Sequence, residues 1–440
     1  MQYNRRMQKL ITGLLLMLIL LSACGAPSSA APSTIGLSGA GQLLATRTPI
    51  AATATPIPEL APIAPATTGA IATLDATATA RQLKYRIVGY YPAWSNPARD
   101  GNASDLPGNM LTHIIYAFSS IDPKNHTCMY GAESVDKYHL NSLRQLKQKY
   151  PHLKILIAIG GATQSKEFSD MAATEQGRQK FVQSCIDLYI GTYPDVIDGI
   201  DMDWEFPGVG AGTRQVDKQN FTALMKEFRR QLDDLAKKKQ RSYLLTAAVP
   251  AGSWLVQNYE LSELAPVLDW FNLMTYDFSG AWSKETNFTA PLYRAKEDPF
   301  PANNVDAAVQ AYLAAGVLPH KITLGMPFYG RGWTTDSTDN NGLYQKLAKG
   351  DVSGTAFTYR NLIDSYIGKN NFKRFWSYGA KVPWLFNATN RVFITYEDPE
   401  SINYKADYVI DHYLGGAMIW HLSSDADETL LQTLYDRLAQ

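Results

Sequence analysis

The chain has 440 residues, enough for one large domain or two ordinary ones, and its 45% hydrophobic and 11% aromatic content suits a sizeable core. Lysine plus arginine balance aspartate plus glutamate at 41 each, so neither nucleic acid nor an anionic surface is indicated as partner. The 25 tyrosines and 9 tryptophans can stack on sugars, but they also fill ordinary cores.

At the N-terminus Arg5, Arg6 and Lys9 precede a mostly apolar stretch from Leu10 to Leu21, too short to span a bilayer comfortably. It ends in Leu21-Ser22-Ala23-Cys24, which resembles a bacterial lipobox. That resemblance implies a lipoprotein signal peptide over 1–23, lipidation of Cys24, and a protein exported to the outer face of the membrane. A plain secretory signal would also export it. Residues 24–82 are rich in Ala, Thr, Pro and Ser and are expected to form an extended tether.

From about residue 83 strand-like runs alternate with amphipathic periods. Strands are expected at 86–91, 113–118, 154–159, 196–203, 244–249, 271–276, 322–326 and 416–420, with helices at 138–150, 175–189, 218–237, 305–315 and 402–413. Short apolar strands interleaved with helices predict a parallel sheet. Eight such units in about 350 residues predict a closed (β/α)8 TIM barrel. A doubly wound open sheet is the alternative, but no glycine-rich phosphate loop follows the first strand. The connection between the seventh and eighth strands is too long to lack structure. Its signals at 357–362 and 391–396 predict a small α+β insertion over 333–398.

The fourth strand carries the chemistry. Asp198, Asp201, Asp203 and Glu205 place four carboxylates within eight residues of otherwise apolar or glycine sequence. Alternation points Asp201, Asp203 and Glu205 to one face, and Ile200, Met202 and Trp204 to the other. Asp198 falls out of that register. Crowded buried carboxylates cannot all ionise, because desolvation and like charges both raise pKa. A calcium loop would need glycine where Phe206 stands. In such a barrel the strand ends gather at one mouth. Tyr90, Phe118, Met274-Thr275-Tyr276-Asp277, Tyr329-Gly330-Arg331 and Trp420 end the first, second, sixth, seventh and eighth strands.

The Asp-x-x-Asp-x-Asp-x-Glu row, Ile159-Gly160-Gly161, Met274-Thr275-Tyr276-Asp277, Gly325-Met326-Pro327-Phe328-Tyr329-Gly330-Arg331 and Trp420 together resemble family 18 chitinases of the bacterial type with an α+β insertion. The resemblance runs from about Tyr85 to the end. It implies hydrolysis of chitin or chitooligosaccharides assisted by the substrate's own acetamido group, the exception among two-carboxylate glycosidases. By that resemblance Glu205 is the acid/base, Asp203 holds the acetamido N–H, Asp201 shares a proton with Asp203, and Tyr276 orients the acetamido oxygen. Trp420 floors the pocket, Tyr90, Met274 and Asp277 line it, and Trp282 and Arg331 resemble contacts to neighbouring sugars. Phe118, Phe206 and Tyr329 are also expected near the sugar. Asp198, Gly160 and Gly161 are expected to support the site.

The pattern has departures. Ala158 stands where the family has a serine, expected to serve Asp198; Ala162 replaces a frequent tryptophan and Phe206 a common tyrosine. The alternatives within the same fold are an endo-β-N-acetylglucosaminidase or cell-wall hydrolase and a non-hydrolytic chitin-binding protein. No cofactor or metal site is expected, since His113, His126, His139 and His152 show no ligand spacing. Cys128 and Cys185 read as buried free thiols, and the protein as a monomer that meets the membrane only through its lipid.

Overall fold

Runs such as Ile114-Ile115-Tyr116-Ala117 and Ile155-Leu156-Ile157-Ala158-Ile159 offer no solvated face, so they pair only in a sheet covered on both sides. The computed structural model shows that sheet. It describes residues 83–96, 101–210, 212–348 and 357–440, and the expected signal peptide, Cys24 and tether lie outside them.

In chain order the strands are β1 (Arg86–Pro92), β2 (His113–Ile121), β3 (Cys128–Met129), β4 (Lys154–Gly160), β5 (Ile197–Asp203), β6 (Leu244–Pro250), β7 (Trp270–Met274) and β8 (Ile322–Pro327). They continue with β9 (Tyr329–Thr334), β10 (Phe357–Thr358), β11 (Lys373–Ser377), β12 (Val382–Asn387), β13 (Val392–Thr395) and β14 (Gly416–Trp420). Eight of them close as a parallel barrel in the order β1-β2-β4-β5-β6-β7-β8-β14, with β14 returning to β1 through Arg86↔Gly416. Each expected strand corresponds to one of these. The short β3 pairs antiparallel with β2 outside the barrel.

The main helices are α1 (Glu133–Lys149), α2 (Glu175–Cys185), α3 (Asp217–Lys239), α4 (Val305–Ala314), α5 (Tyr359–Ser365), α6 (Pro399–Asp411) and α7 (Thr429–Leu438). Local chemistry sets their ends. Thr174 caps α2 by accepting from Gly177 N–H, and α6 opens with Pro399 and a reciprocal Asp398–Ser401 capping box. Helix α3 ends in Lys237-Lys238-Lys239, favourable beside its negative dipole end, with Gln240 left-handed after it. The outer faces of the strands pack on these helices. Trp204 stacks on Phe168 at 5.1 Å, filling that layer behind the acid strand. Cys128 and Cys185 are buried free thiols.

Strands β9 to β13 form a separate antiparallel sheet, ordered β10-β9-β13-β12-β11. Phe288, Trp333, Phe375, Trp384 and Phe393 make its own core. This sheet starts at Tyr329 rather than 333: β8 ends at Pro327, and Phe328 alone separates it from β9. Tyr329 and Arg331 therefore stand on the insertion's first strand, not on the end of a barrel strand. Buried Lys405 of α6 pairs with Glu397 and donates to Ala290 O at 2.7 Å, tying the insertion's exit to the loop after β7.

Candidate active site

Strand β5 is buried along its whole length, so its alternation puts Asp201 and Asp203 inside the barrel. Asp201 accepts from Tyr90 OH at 2.7 Å, Thr246 Oγ1 at 2.5 Å and Asn272 Nδ2 at 3.1 Å. Thr246 is its cross-strand partner on β6. Asn272 on β7 is itself fixed by Trp270 Nε1 and Thr323 Oγ1. Burial raises the Asp201 pKa, and these three donors counter it.

Asp203 faces Glu205 instead. Burial first, then the charges of Glu205 and Asp201, push its pKa well above the usual carboxylate range. Glu205 is pushed up to about 7 by burial and by the charge of Asp277, against the hydrogen bond from Asp203. Asp203 thus stands between two acids, Asp201 below it and Glu205 toward the mouth, and the charges of both act on it. Asp201 is already engaged by three neutral donors. The other oxygen of Asp203, Oδ1, is buried without a protein hydrogen-bond partner.

The backbone here is held by small residues. Gly161 N–H donates to Asp203 O at 2.7 Å, while Ser165 Oγ accepts from Glu205 N–H at 2.9 Å. Gly160 has φ +111, and a Cβ there would lie 2.3 Å from Asp203 O. Gly161 has φ +86, and its Cβ would lie 2.8 Å from the Phe118 ring. Neither position accepts a side chain. Non-proline cis peptides occur at Ala117–Phe118, Glu205–Phe206 and Trp420–His421.

Aromatic rings surround the acids. Trp420 lies 5.5 Å from Tyr90, 5.7 Å from Phe118 and 6.2 Å from Trp94 between centroids. Met274 and Tyr276 pack against this cluster. The Tyr276 phenol is raised by burial and then by the charges of Asp203 and Glu205, which places it in their field. Tyr329 OH donates to Asp277 Oδ1 at 2.7 Å, and Arg331 grips both oxygens of Asp277. Phe206 is half-buried directly after Glu205, and Trp282 stands on the exposed loop after β7.

Asp198 is not part of this constellation. Out of register on β5, it pairs with Lys147 of α1 and Arg241, and accepts from Ile155 N–H at 2.8 Å. Ala158 aligns with Asp201, not Asp198, so the missing serine hydroxyl has no bearing on Asp198. Sequence reasoning also passed over Thr246, Asn272, Ser165 and Trp94. The first two were visible as polar residues in otherwise apolar strands. Trp94 was visible as an aromatic two residues beyond β1.

A buried acid raised to about 7 at a barrel mouth, beside a second carboxyl whose pKa is also raised and walled by aromatics, defines a glycosidase-type site. Residues 86–425 match the family "Glycosyl hydrolases family 18", and the chain belongs to that family. It is 39% identical to "Chitinase A1" of Niallia circulans over 80% of this chain, and spans 58% of that protein. It is 36% identical to "Chitotriosidase-1" of Mus musculus, over 77% of this chain and 73% of that protein. Among solved structures it is similar to chitinase ChiA74 from Bacillus thuringiensis, with a TM-score of 0.76 and 35% identity. That match covers 81% of this chain and 70% of the other.

Proposed function

We propose that the protein is a chitinase that hydrolyses β-1,4-linked N-acetylglucosamine chains with retention of configuration. The observation that carries the reading is the buried, unpartnered Asp203 Oδ1 beside Glu205, an acid raised to about 7. A buried acceptor without a partner is costly until a donor arrives, and a substrate acetamido N–H supplies one.

Glu205 gives its proton to the glycosidic oxygen as the C1–O bond breaks. The acetamido oxygen of the same sugar bonds to C1, and Asp203 stabilises the positive charge that develops on the acetamido group. Tyr276 orients the acetamido oxygen. Water then attacks C1 and loses its proton to the Glu205 carboxylate, which restores the acid and opens the oxazolinium ring. Asp201, fixed by hydrogen bonds from Tyr90, Thr246 and Asn272, lies beneath Asp203, and its charge acts on Asp203. Trp420 and Phe118 support the apolar face of the sugar.

Incubating the protein separately with chitooligosaccharides, N-glycans and peptidoglycan tests the substrate. Cleavage of chitooligosaccharides is expected; cleavage of only one of the other two would replace this reading with its endoglycosidase or cell-wall alternative. The pattern from Arg5 to Cys24 supports export and lipid anchoring. A Cys24→Ala variant found in the same membrane fraction as the wild type would refute that anchor.

A further inference from the structure

Strand β6 stands diametrically across the barrel from β1, as the order β1-β2-β4-β5-β6-β7-β8-β14 requires. Two residues beyond β1 is Trp94, 56% exposed beside Trp420. Four residues beyond β6 is Trp254, 62% exposed, in the short helix Ser253–Val256. Glu205 follows β5 and Tyr276 follows β7, the two neighbours of β6. A linear polymer laid along that diameter meets Trp94 at one lip, crosses the acids, and reaches Trp254 at the other.

Trp254 is seated in the same way as Trp282 on the adjoining loop. Each follows a glycine by two residues, and each indole lies back over that glycine. A Cβ on Gly252 would stand 3.3 Å from Trp254 Nε1, and one on Gly280 would stand 2.5 Å from Trp282 Cη2. Trp282 is 66% exposed, so the strands β6 and β7, which pair side by side, present two indoles on neighbouring lips. The loop after β4 offers no aromatic ring; its exposed residues are Ala162, Thr163 and Lys166. Large apolar rings left in water at the edge of a cleft mark a binding surface.

We propose that Trp254 is a further substrate platform, forming with Trp282 the aromatic far half of a track on which the leaving-group side of a long chain lies. This rests on the chitinase reading. The partner chemistry is the apolar face of a pyranose ring, which stacks on an indole without demanding a charged contact.

The test compares wild type, Trp254→Ala and Trp254→Phe on chitohexaose and on an aryl chitobioside, whose leaving group is too short to reach Trp254. Alanine is expected to reduce kcat/KM on chitohexaose roughly fivefold more than on the aryl chitobioside, the scale of one lost aromatic contact. Phenylalanine is expected to restore most of that difference. Equal losses on the two substrates, or no loss on chitohexaose, would overturn the platform while leaving the hydrolase intact. A wild type inert on both would instead overturn the chitinase reading, and the platform with it.

Discussion

Asp277 and Arg331 form a two-point ion pair in the wall of the site, Nε to Oδ1 at 2.6 Å and Nη2 to Oδ2 at 2.5 Å. It joins the barrel to the insertion, because Asp277 follows β7 and Arg331 lies on β9. The pair also bears on acidity. Asp277 is the charge that helps raise Glu205, and Arg331 keeps that charge in place. The insertion therefore contributes to the electrostatics of the acid as well as to the wall.

Replacing Asp277 with Asn removes the like charge and leaves Arg331 without its carboxylate. Both changes favour ionised Glu205, so its pKa falls from about 7. The acid form is then lost at lower pH, and the alkaline limb of the kcat/KM profile should move down by roughly one unit. A limb that stays or moves up would show that Asp277 does not set it.

Ala158 is fully buried and in register with Asp201. A serine there adds a donor beside Asp201 and favours its ionised form. That charge raises Asp203, so the apparent pKa of the Asp203–Glu205 pair should rise while kcat is largely kept. A pH profile identical to that of the wild type would contradict this placement of the hydroxyl.

Asp198 ties α1 and Arg241 to the edge between β4 and β5. Its replacement by Ala strands Lys147, whose ammonium is largely buried, and should cost about 3 kcal/mol of stability. Denaturant titration should register that loss with the pH–rate profile unmoved. A shifted profile with unchanged stability would show that Asp198 supports the acids rather than the fold.

Much of the fold was legible because its signals are local. Uninterrupted apolar runs mark buried parallel strands, and the alternation from Ile200 to Glu205 shows which acids share a face. Contacts between distant strands were harder to read. Thr246 and Asn272 meet Asp201 only through the register of β5, β6 and β7, which alternation within one strand cannot supply. Asp198 looked like part of the row because it lies near it in sequence, although the same alternation turns it toward α1. Tyr329 and Arg331 follow β8 so closely that no composition change marks the step into a new sheet. The 62% exposure of Trp254 is likewise a property of the folded lip, not of its neighbours in the chain.

The central claim is that Glu205 and Asp203 act together with the substrate's own acetamido group, and the anomeric form of freshly released product tests it most directly. Proton NMR recorded during the first minutes of chitohexaose cleavage should show β-anomeric new ends with wild type, and almost no cleavage with Glu205→Gln or Asp203→Asn. Initial α-anomers, or a Glu205→Gln variant as active as wild type, would contradict it.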